Sequence, residues 1–316
     1  MTNQTTIRQA ENVVEITGVL AENRLERIKN NQNVNVITGE LDIKTGENEI
    51  QTVRIYSAET KKDGSPSAAY TGFQTVMEQY KSLQEVSEEE ADKIEIRSGQ
   101  LGLNEYIGQD DKLKSRPQIS TFFVSRVKNG VELTPKAEVT VEAYIQAIST
   151  EKDRENEETG RLKLKVIIPI HGGKVIPFEF IAPAGDIADH IDENWEVGQT
   201  VTIYADIINK VEVKEIEQKV SFGKPKIKTV TNSTREYIIT GGSDPYDEES
   251  PKTYTSEIIK KALAEREVQI QEMMEKKNSK NEKPKKKGFG KAAAKTEVKK
   301  TEDTDTIDIQ DDDLPF

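Results

Sequence analysis

The sequence has no cysteine among its 316 residues and only two histidines, and aromatic residues make up only 6% of it. Without cysteine, disulfides, thiolate metal sites and cysteine nucleophiles are excluded. His171 and His190 are isolated in the sequence, so surface histidines are favoured over a metal ligand or a general base. The sequence also contains no Gly-rich phosphate loop and no nucleophile elbow. These absences predict a protein that is not an enzyme and that uses no cofactor and no metal.

Long apolar runs are also missing, since no stretch approaches the roughly 20 apolar residues that a membrane span needs. The polar residues 1–14 lack the charged-then-apolar order of a signal peptide. We therefore expect a soluble, cytoplasmic protein that does not contact membranes. Only 34% of the residues are hydrophobic and 32% are charged, which predicts that part of the chain is not packed into a core.

The formal net charge of −12 is distributed unevenly along the chain. Residues 1–250 carry 30 basic and 43 acidic residues, a net charge of −13. Residues 251–300 carry fifteen basic and seven acidic residues, whereas residues 301–316 carry seven acids and no base. Nucleic-acid binding proteins usually present a positive surface. A DNA site on residues 1–250 would therefore have to be a local basic groove on an acidic body.

Residues 1–135 have the pattern of five strands and one helix. The strands are predicted at 13–20, 34–43, 49–57, 93–101 and 118–127, and the helix at 70–83. Within the third strand, Val53 and Ile55 are expected to face a core while Arg54 and Tyr56 face outward. This number and order of elements match the five-stranded OB barrel, which often carries a helix between its third and fourth strands.

Residues 136–250 repeat this order, although the two halves share few residue identities. Strands are predicted at 138–149, 161–170, 174–181, 199–213 and 235–240, with a short helix at 185–191. The repeat is therefore one of architecture. The sequence predicts a mainly β protein made of two tandem OB-fold-like barrels, residues 1–135 and residues 136–250.

A helix is predicted within 251–277, with an apolar stripe that Arg266 interrupts. Two alternatives remain for this helix: it packs back on the barrels, or it forms a self-association seam. Residues 278–306 form a Lys-, Glu- and Thr-rich linker with a basic block at 284–291. We expect this linker to be disordered, because it has too little apolar surface to offset the entropy of ordering.

The acidic segment 307–316 ends in Asp311-Asp312-Asp313-Leu314-Pro315-Phe316. It closely resembles the C-terminal tip of bacterial single-stranded DNA-binding proteins. The resemblance covers about six residues, and two barrels in one chain depart from the single barrel usual in that family, which suggests a phage-encoded or divergent relative. It implies a tip that docks on clamp-loader, primase, helicase, recombination and repair proteins, and that competes with DNA for the protein's own groove.

The chemistry of the tip suits docking on a partner. Phe316 provides an apolar anchor beside a terminal carboxylate, so a partner needs one hydrophobic pocket and one basic side chain. Pro315 restricts the backbone and reduces the entropy lost on docking. The acids 311–313 steer the tip toward basic surfaces. The alternative is a solubilising tail, although that role gives no reason for a terminal phenylalanine.

Binding of single strands without sequence preference needs cations for phosphates and aromatic faces on which bases stack. The candidates are basic and aromatic residues expected on outward strand faces: Arg54, Tyr56, Tyr144, Arg161, Lys163, Lys165, Tyr204, Lys224, Lys226 and Lys228. Alternation places Arg161, Lys163 and Lys165 on one face, and reversing the charge of all three is expected to abolish binding. The alternatives are ordinary cross-strand packing for the tyrosines and a solvated strand face for the cations.

The sequence thus predicts a protein that binds and protects single-stranded DNA during replication, recombination and repair. It would recruit other proteins through residues 311–316. The competing hypothesis is a replication or recombination scaffold that uses the tip without coating DNA itself, and the acidic body favours it. The sequence leaves open whether the chain acts as a monomer or self-associates.

Overall fold

The structure is a computed structural model. It describes the backbone of residues 7–128, 130–218, 222 and 226–281, and the side chains of 7–128, 130–212, 222 and 232–277. The predicted tip and the predicted linker beyond residue 281 lie outside the described residues. The first seven strands are β1 (Asn12–Asn23), β2 (Glu26–Lys29), β3 (Asn35–Gly46), β4 (Glu49–Ala58), β5 (Lys93–Ile107), β6 (Leu113–Ser120) and β7 (Ser125–Arg126).

The remaining described strands are β8 (Lys136–Lys152), β9 (Glu158–Pro169), β10 (Val175–Ala182), β11 (Thr200–Gln218) and β12 (Lys226–Gly242). The α-helices are α1 (Ala68–Gln79), α2 (Asp186–Asn194) and α3 (Ser256–Asn281), and a short 3-10 turn spans His171–Gly173. The predictions of a mainly β protein and of a helix after the last strand are confirmed. No described helix is both long enough and apolar enough to span a membrane.

Side-chain alternation along the strands agrees with the sequence prediction. In β4, Val53 and Ile55 are fully buried, whereas Arg54 and Tyr56 keep part of their surface in solvent. Successive side chains of a strand point to opposite faces, so an apolar residue at every second position buries one face. Helix α1 follows β4 and is capped by Ser67, whose side chain accepts a hydrogen bond from the backbone N–H of Tyr70.

Five strands of the first half form a closed set of pairings, which we name ring 1. β1 pairs with β3, β3 with β4, β4 with β6, β6 with β5, and β5 returns to β1. The β4–β6 pairing is parallel, at Val53↔Ile119 and Arg54↔Ser120, and the other four are antiparallel. Helix α1 lies between the third and fourth of these strands in chain order.

Five strands of the second half form an equivalent closed set, which we name ring 2. β8 pairs with β9, β9 with β10, β10 with β12, β12 with β11, and β11 returns to β8. Here too the pairing of the third and fifth strands is parallel, at Ile181↔Ile238. Helix α2 lies between the third and fourth strands of the ring. The repeat of element order therefore extends to the order of pairing.

The two rings are hydrogen-bonded to each other. β1 of ring 1 pairs antiparallel with β8 of ring 2, from Asn12↔Val141 to Thr17↔Lys136. Buried apolar residues of both rings belong to one continuous core. The division at 135/136 remains a prediction: the pairings sort the strands into two groups, but β1 and β8 join them.

Helix α3 begins on ring 2 and extends to ring 1. Just before it, the backbone N–H of Tyr254 donates to the Thr200 hydroxyl on β11 at 2.9 Å. Ile259 near the start of the helix is buried. Further along, Arg266 forms an ion pair with Glu105 on β5, so the cation that interrupts the apolar stripe has a partner on ring 1. The helix thus packs back on the rings, the first of the two alternatives.

Candidate nucleic-acid interface

The outward face of β9 carries the predicted row of cations, Arg161, Lys163 and Lys165, which we name the β9 row. The alternating residues Leu162, Leu164 and Val166 are buried. Buried and outward residues alternate because successive side chains of a strand point to opposite faces, and one face of β9 contributes to the core of ring 2. The structure therefore brings the three cations together on one strand face.

Two members of the β9 row are ion-paired. Arg161 contacts Glu151 of β8 (Nη1–Oε2 3.2 Å) and Glu236 of β12 (Nη2–Oε2 2.7 Å). Lys163 also contacts Glu151, with Nζ–Oε1 at 3.4 Å. Lys165 is exposed and forms no ion pair within the part of the chain that the structure describes. The row is thus partly neutralised, and these acids were not recognised in the sequence.

β11 and β12 extend beyond ring 2 as a long hairpin, which we name the arm. Its strands pair from Ile207↔Tyr237 to Gln218↔Lys226. Residues 219–235 contain five basic residues and no acid, in contrast to the acidic body. The predicted Lys226 and Lys228 lie on the arm, though their side chains are outside the described set, and Lys224 is outside the described residues altogether.

Phe222 lies between the two strands of the arm and is 91% exposed. Sequence reasoning overlooked this residue. The available signal was an aromatic residue next to a glycine in a lysine-rich turn, where no apolar strand pattern gives it a core to pack in. An exposed aromatic ring with cations nearby in sequence is a suitable platform for base stacking.

The other predicted pair, Arg54 and Tyr56, lies on the outward face of β4 in ring 1. Arg54 donates to the Thr38 hydroxyl at 3.0 Å, and its neighbour across β3 is Glu40. Arg24 lies beside these residues and binds Asp42 at 2.6 Å and Glu40 at 3.0 Å. Donation to Asp42 raises the pKa of the Arg24 guanidinium well above its ordinary value. The acids next to Arg54 are therefore already paired with a cation.

Strand β6 continues this outward face with cations that sequence reasoning missed. Ser120 of β6 is the neighbour of Arg54, and Arg116 is four residues away on the same side of the strand. Arg116 is exposed and has no ion pair among the described residues. Lys114 is exposed too, and it contacts Asp110 at 2.7 Å.

The prediction that Tyr144 faces solvent is wrong, because this side chain is only 8% exposed and belongs to the core. The alternation of β8 does place Tyr144 on the same side as Glu142, as expected. That side is covered by the segment after β12, where the N–H of Tyr246 donates to the carbonyl of Thr200 at 2.9 Å. A covering segment about a hundred residues away in sequence leaves no local signal.

Tyr204 is 45% exposed on β11, which pairs with β8 and β12 at this position and not with β9. Its strand neighbours are Thr140 and Gly241. Asp206 lies two positions further along the same face, and its neighbour on β8 is Glu138. Burial, together with this neighbouring carboxylate, raises the pKa of Asp206. Tyr204 is thus available for stacking, though in acidic surroundings. In the described part of the chain, no group of three or more His, Asp or Glu residues could hold a metal ion.

The model of the YorF family matches residues 10–278. The chain belongs to the YorF family. The match spans both rings and nearly all of α3, and the predicted tip lies beyond it. A comparison with curated proteins finds no match for this YorF-family chain.

Among solved structures, the YorF-family chain is similar to the wild-type single-stranded DNA binding protein from Thermus aquaticus. The two are 11% identical with a TM-score of 0.47, over 77% of this chain and 97% of that one. A deletion mutant of the Thermus protein gives the same identity and TM-score, over 78% and 99% of the two chains. A replication protein A heterotrimer bound to single-stranded DNA matches with 10% identity and a TM-score of 0.19, over 76% and 66%.

Proposed function

We propose that this YorF-family protein binds single-stranded DNA without sequence preference, and that its two rings are OB-like barrels. One observation carries the proposal: the outward face of β9 holds Arg161, Lys163 and Lys165 in a ring whose strands and helix follow the OB order. β9 is the second strand of ring 2. OB folds bind oligonucleotides on the face of their second and third strands and on the loops beside it.

The arm adds a second element to this surface. It connects the fourth and fifth strands of ring 2, a connection that OB folds also use for oligonucleotides. Its basic residues can contact phosphates, and the ring of Phe222 is open to a base. Stacking of one base on an aromatic side chain contributes about 1–3 kcal/mol and tolerates any sequence.

The acids of the body set the conditions under which binding occurs. Glu151 and Glu236 already occupy Arg161 and Lys163, so phosphates must exchange with these carboxylates. Such an exchange makes affinity sensitive to salt, in addition to the usual release of counterions. Lys165 requires no exchange and provides the first contact of the row.

We also propose that the segment 311–316 recruits replication, recombination and repair proteins in a bacterial cytoplasm. This part rests on the sequence of the tip alone. Full-length chain is expected to co-elute with a purified bacterial clamp loader, while a chain lacking Phe316 binds it about tenfold or more weakly, since a buried aromatic anchor dominates such contacts. Equal co-elution of both chains would exclude Phe316 as the anchor.

A scaffold that does not coat DNA is the second candidate. The ion pairs that neutralise Arg161 and Lys163 favour it, together with the net charge of −13 on residues 1–250. The two functions differ in one measurement, the binding of oligo-dT by the purified chain at low salt.

The test of the β9 row replaces Arg161, Lys163 and Lys165 together by Gln. Neutral residues are preferable to Glu, because a new carboxylate would lie against Glu151 and Glu236. We expect the affinity for a labelled dT oligonucleotide of about 30 residues to fall about ten- to thirtyfold at about 50 mM salt. The salt slope should decrease by about 2, at roughly 0.7 per lost phosphate contact. Fluorescence anisotropy at several salt concentrations measures both.

The control makes the same charge change elsewhere, by Lys81→Gln, Lys260→Gln and Lys261→Gln at exposed positions. It should change the affinity by less than about twofold, because these lysines lie off the proposed surface. Glu151→Gln should act in the opposite direction and strengthen binding, since it releases Lys163 and leaves Arg161 with Glu236 as its one remaining acid among the described residues. If the row variant binds like its control, the β9 row is not the binding surface.

A further inference from the structure

β11 changes its partner where it leaves ring 2. Along residues 200–206 it pairs with β8, and the last pair is Asp206↔Glu138. From residue 207 onward the same edge of β11 faces the hairpin between β3 and β4, which belongs to ring 1. The bridge pair Lys210↔Glu49 marks this contact. The base of the arm is therefore supported by the other ring.

Three hydrogen bonds join the two segments at alternate residues of β11. The Gln51 amide donates from Nε2 to the carbonyl of Ile207 at 2.9 Å. The Asn209 side chain donates to the carbonyl of Ile50, and the backbone N–H of Val211 donates to the carbonyl of Asn48 at 2.9 Å. Alternate residues lie on one edge of a strand, so these bonds continue the edge that β8 leaves.

Gln51 is an unusual residue for its position. It occupies an inward position of β4, in line with the fully buried Val53 and Ile55, and is itself 1% exposed. Burying an amide is unfavourable unless it is hydrogen-bonded. Its bond to Ile207 meets this condition and ties the interior of ring 1 to the base of the arm.

Support of this kind matters because an isolated two-stranded hairpin is only marginally stable in water. A third strand makes such a hairpin stable, and β8 provides it only as far as Asp206. Residues 48–51 extend the three-stranded root of the arm to Val211. Among the described residues, no strand other than β12 pairs with β11 beyond that point.

We propose that Gln51 is a positioning residue: ring 1, through Gln51 and its hairpin, sets the direction of the arm that contacts single-stranded nucleic acid. The nucleic-acid part rests on the proposed function, whereas the support of the arm rests on the contacts alone. The two rings then act as one binding unit, in which ring 1 contributes to the affinity of ring 2 by holding the arm.

The test uses the absence of cysteine, because Ser233→Cys gives one site for a nitroxide label on the arm, opposite Val211. In this background Gln51→Met keeps the length of the side chain but removes the donor to Ile207. We expect the label to become more mobile in its electron paramagnetic resonance spectrum. Without the label, Gln51→Met should weaken oligo-dT binding about five- to tenfold, because the arm is no longer held in place.

Gln271→Met makes the same chemical change at an exposed position of α3 and should alter neither readout. If Gln51→Met does not fold, Asn209→Ala removes a neighbouring bond at the surface and should give the same two effects. An unchanged label in the folded variant, or a mobile label with unchanged affinity, would overturn the proposal. If the wild-type chain does not bind oligo-dT, the proposed function and the nucleic-acid part of this proposal are both wrong. The mobility of the label then still tests whether Gln51 supports the arm.

Discussion

Glu142→Ala is expected to lower the free energy of unfolding by about 1–3 kcal/mol, because it removes a buried acceptor of hydrogen bonds. The Glu142 side chain is 1% exposed. Its carboxylate accepts from Arg8 Nη1 at 2.7 Å, from the backbone N–H of Glu11 at 2.9 Å and from the Tyr246 hydroxyl at 3.0 Å. Removing it takes away side-chain contacts that join the segments before β1 and after β12 to β8, although the backbone bonds from Glu142 to Glu11 and from Tyr246 to Thr200 remain.

Urea unfolding followed by the fluorescence of Trp195 measures this loss. Glu272→Ala, at an exposed position of α3, is the matched control and should change the unfolding free energy by less than about 0.5 kcal/mol. A Glu142→Ala loss no larger than that of the control would mean that the carboxylate contributes nothing net to stability.

Glu142 is also expected to make the stability of the protein depend on pH. Burial raises the pKa of Glu142, but the hydrogen bonds from Arg8 and from the N–H of Glu11 lower it more, so the folded pKa lies below its ordinary value of 4.5. Because the pKa of Glu142 is lower in the folded than in the unfolded protein, its ionised form stabilises the fold at any pH above the unfolded pKa. This stability is lost as the pH falls through the folded pKa. Wild type should therefore lose more stability than Glu142→Gln below about pH 4.5.

Much of the fold follows from local sequence because alternation is a local property. Val53 and Ile55 in β4, and Leu162 and Leu164 in β9, repeat every second residue and indicate strands whose outward faces can be assigned. The same rule failed for Tyr144, since it identifies the two faces of a strand but not whether another segment covers one of them. Only the three-dimensional structure brings Tyr246 over β8.

The arm shows a second limit of sequence reasoning. The sequence predicts a last strand that begins at 235, whereas β12 begins at Lys226. The apolar residues of 226–234 are Ile227 and Val230, three positions apart, so the segment lacks the alternation that marks a strand. Phe222 was missed because its exposure depends on the length of the arm.

The cations of the candidate site can be predicted from the sequence, but the acids that neutralise them cannot. Arg161, Lys163 and Lys165 share a face by their spacing alone. Glu236 is 75 residues away from Arg161 in sequence, and it reaches this face only because β10 places β9 and β12 on its two sides. A net charge shows that acids are numerous, but it does not show which cations they neutralise.

Phe73→Ala is expected to lower the free energy of unfolding by about 3–5 kcal/mol, as removal of a large buried side chain does. Phe73 is 1% exposed on α1 of ring 1, whereas the single tryptophan, Trp195, is 4% exposed and follows α2 in ring 2. Because β1 and β8 pair over six residues and the core is continuous, we expect Trp195 fluorescence to report the loss even though the substitution is in the other ring.

The measurement compares urea unfolding curves from Trp195 fluorescence with those from far-ultraviolet circular dichroism. If the two probes give coincident curves in wild type, and again in Phe73→Ala, the two rings unfold as one cooperative unit. Phe123→Ala makes the same exchange at a side chain that is 61% exposed, and it should shift both curves by less than about 1 kcal/mol. Phe73→Ala could instead lower the urea midpoint seen by circular dichroism and leave the midpoint seen by Trp195 fluorescence unchanged. Ring 1 then unfolds alone, and the division at 135/136 is a true domain boundary. In that case β1–β8 pairing is too weak to couple the rings, and the support of the arm by Gln51 would be lost whenever ring 1 opens.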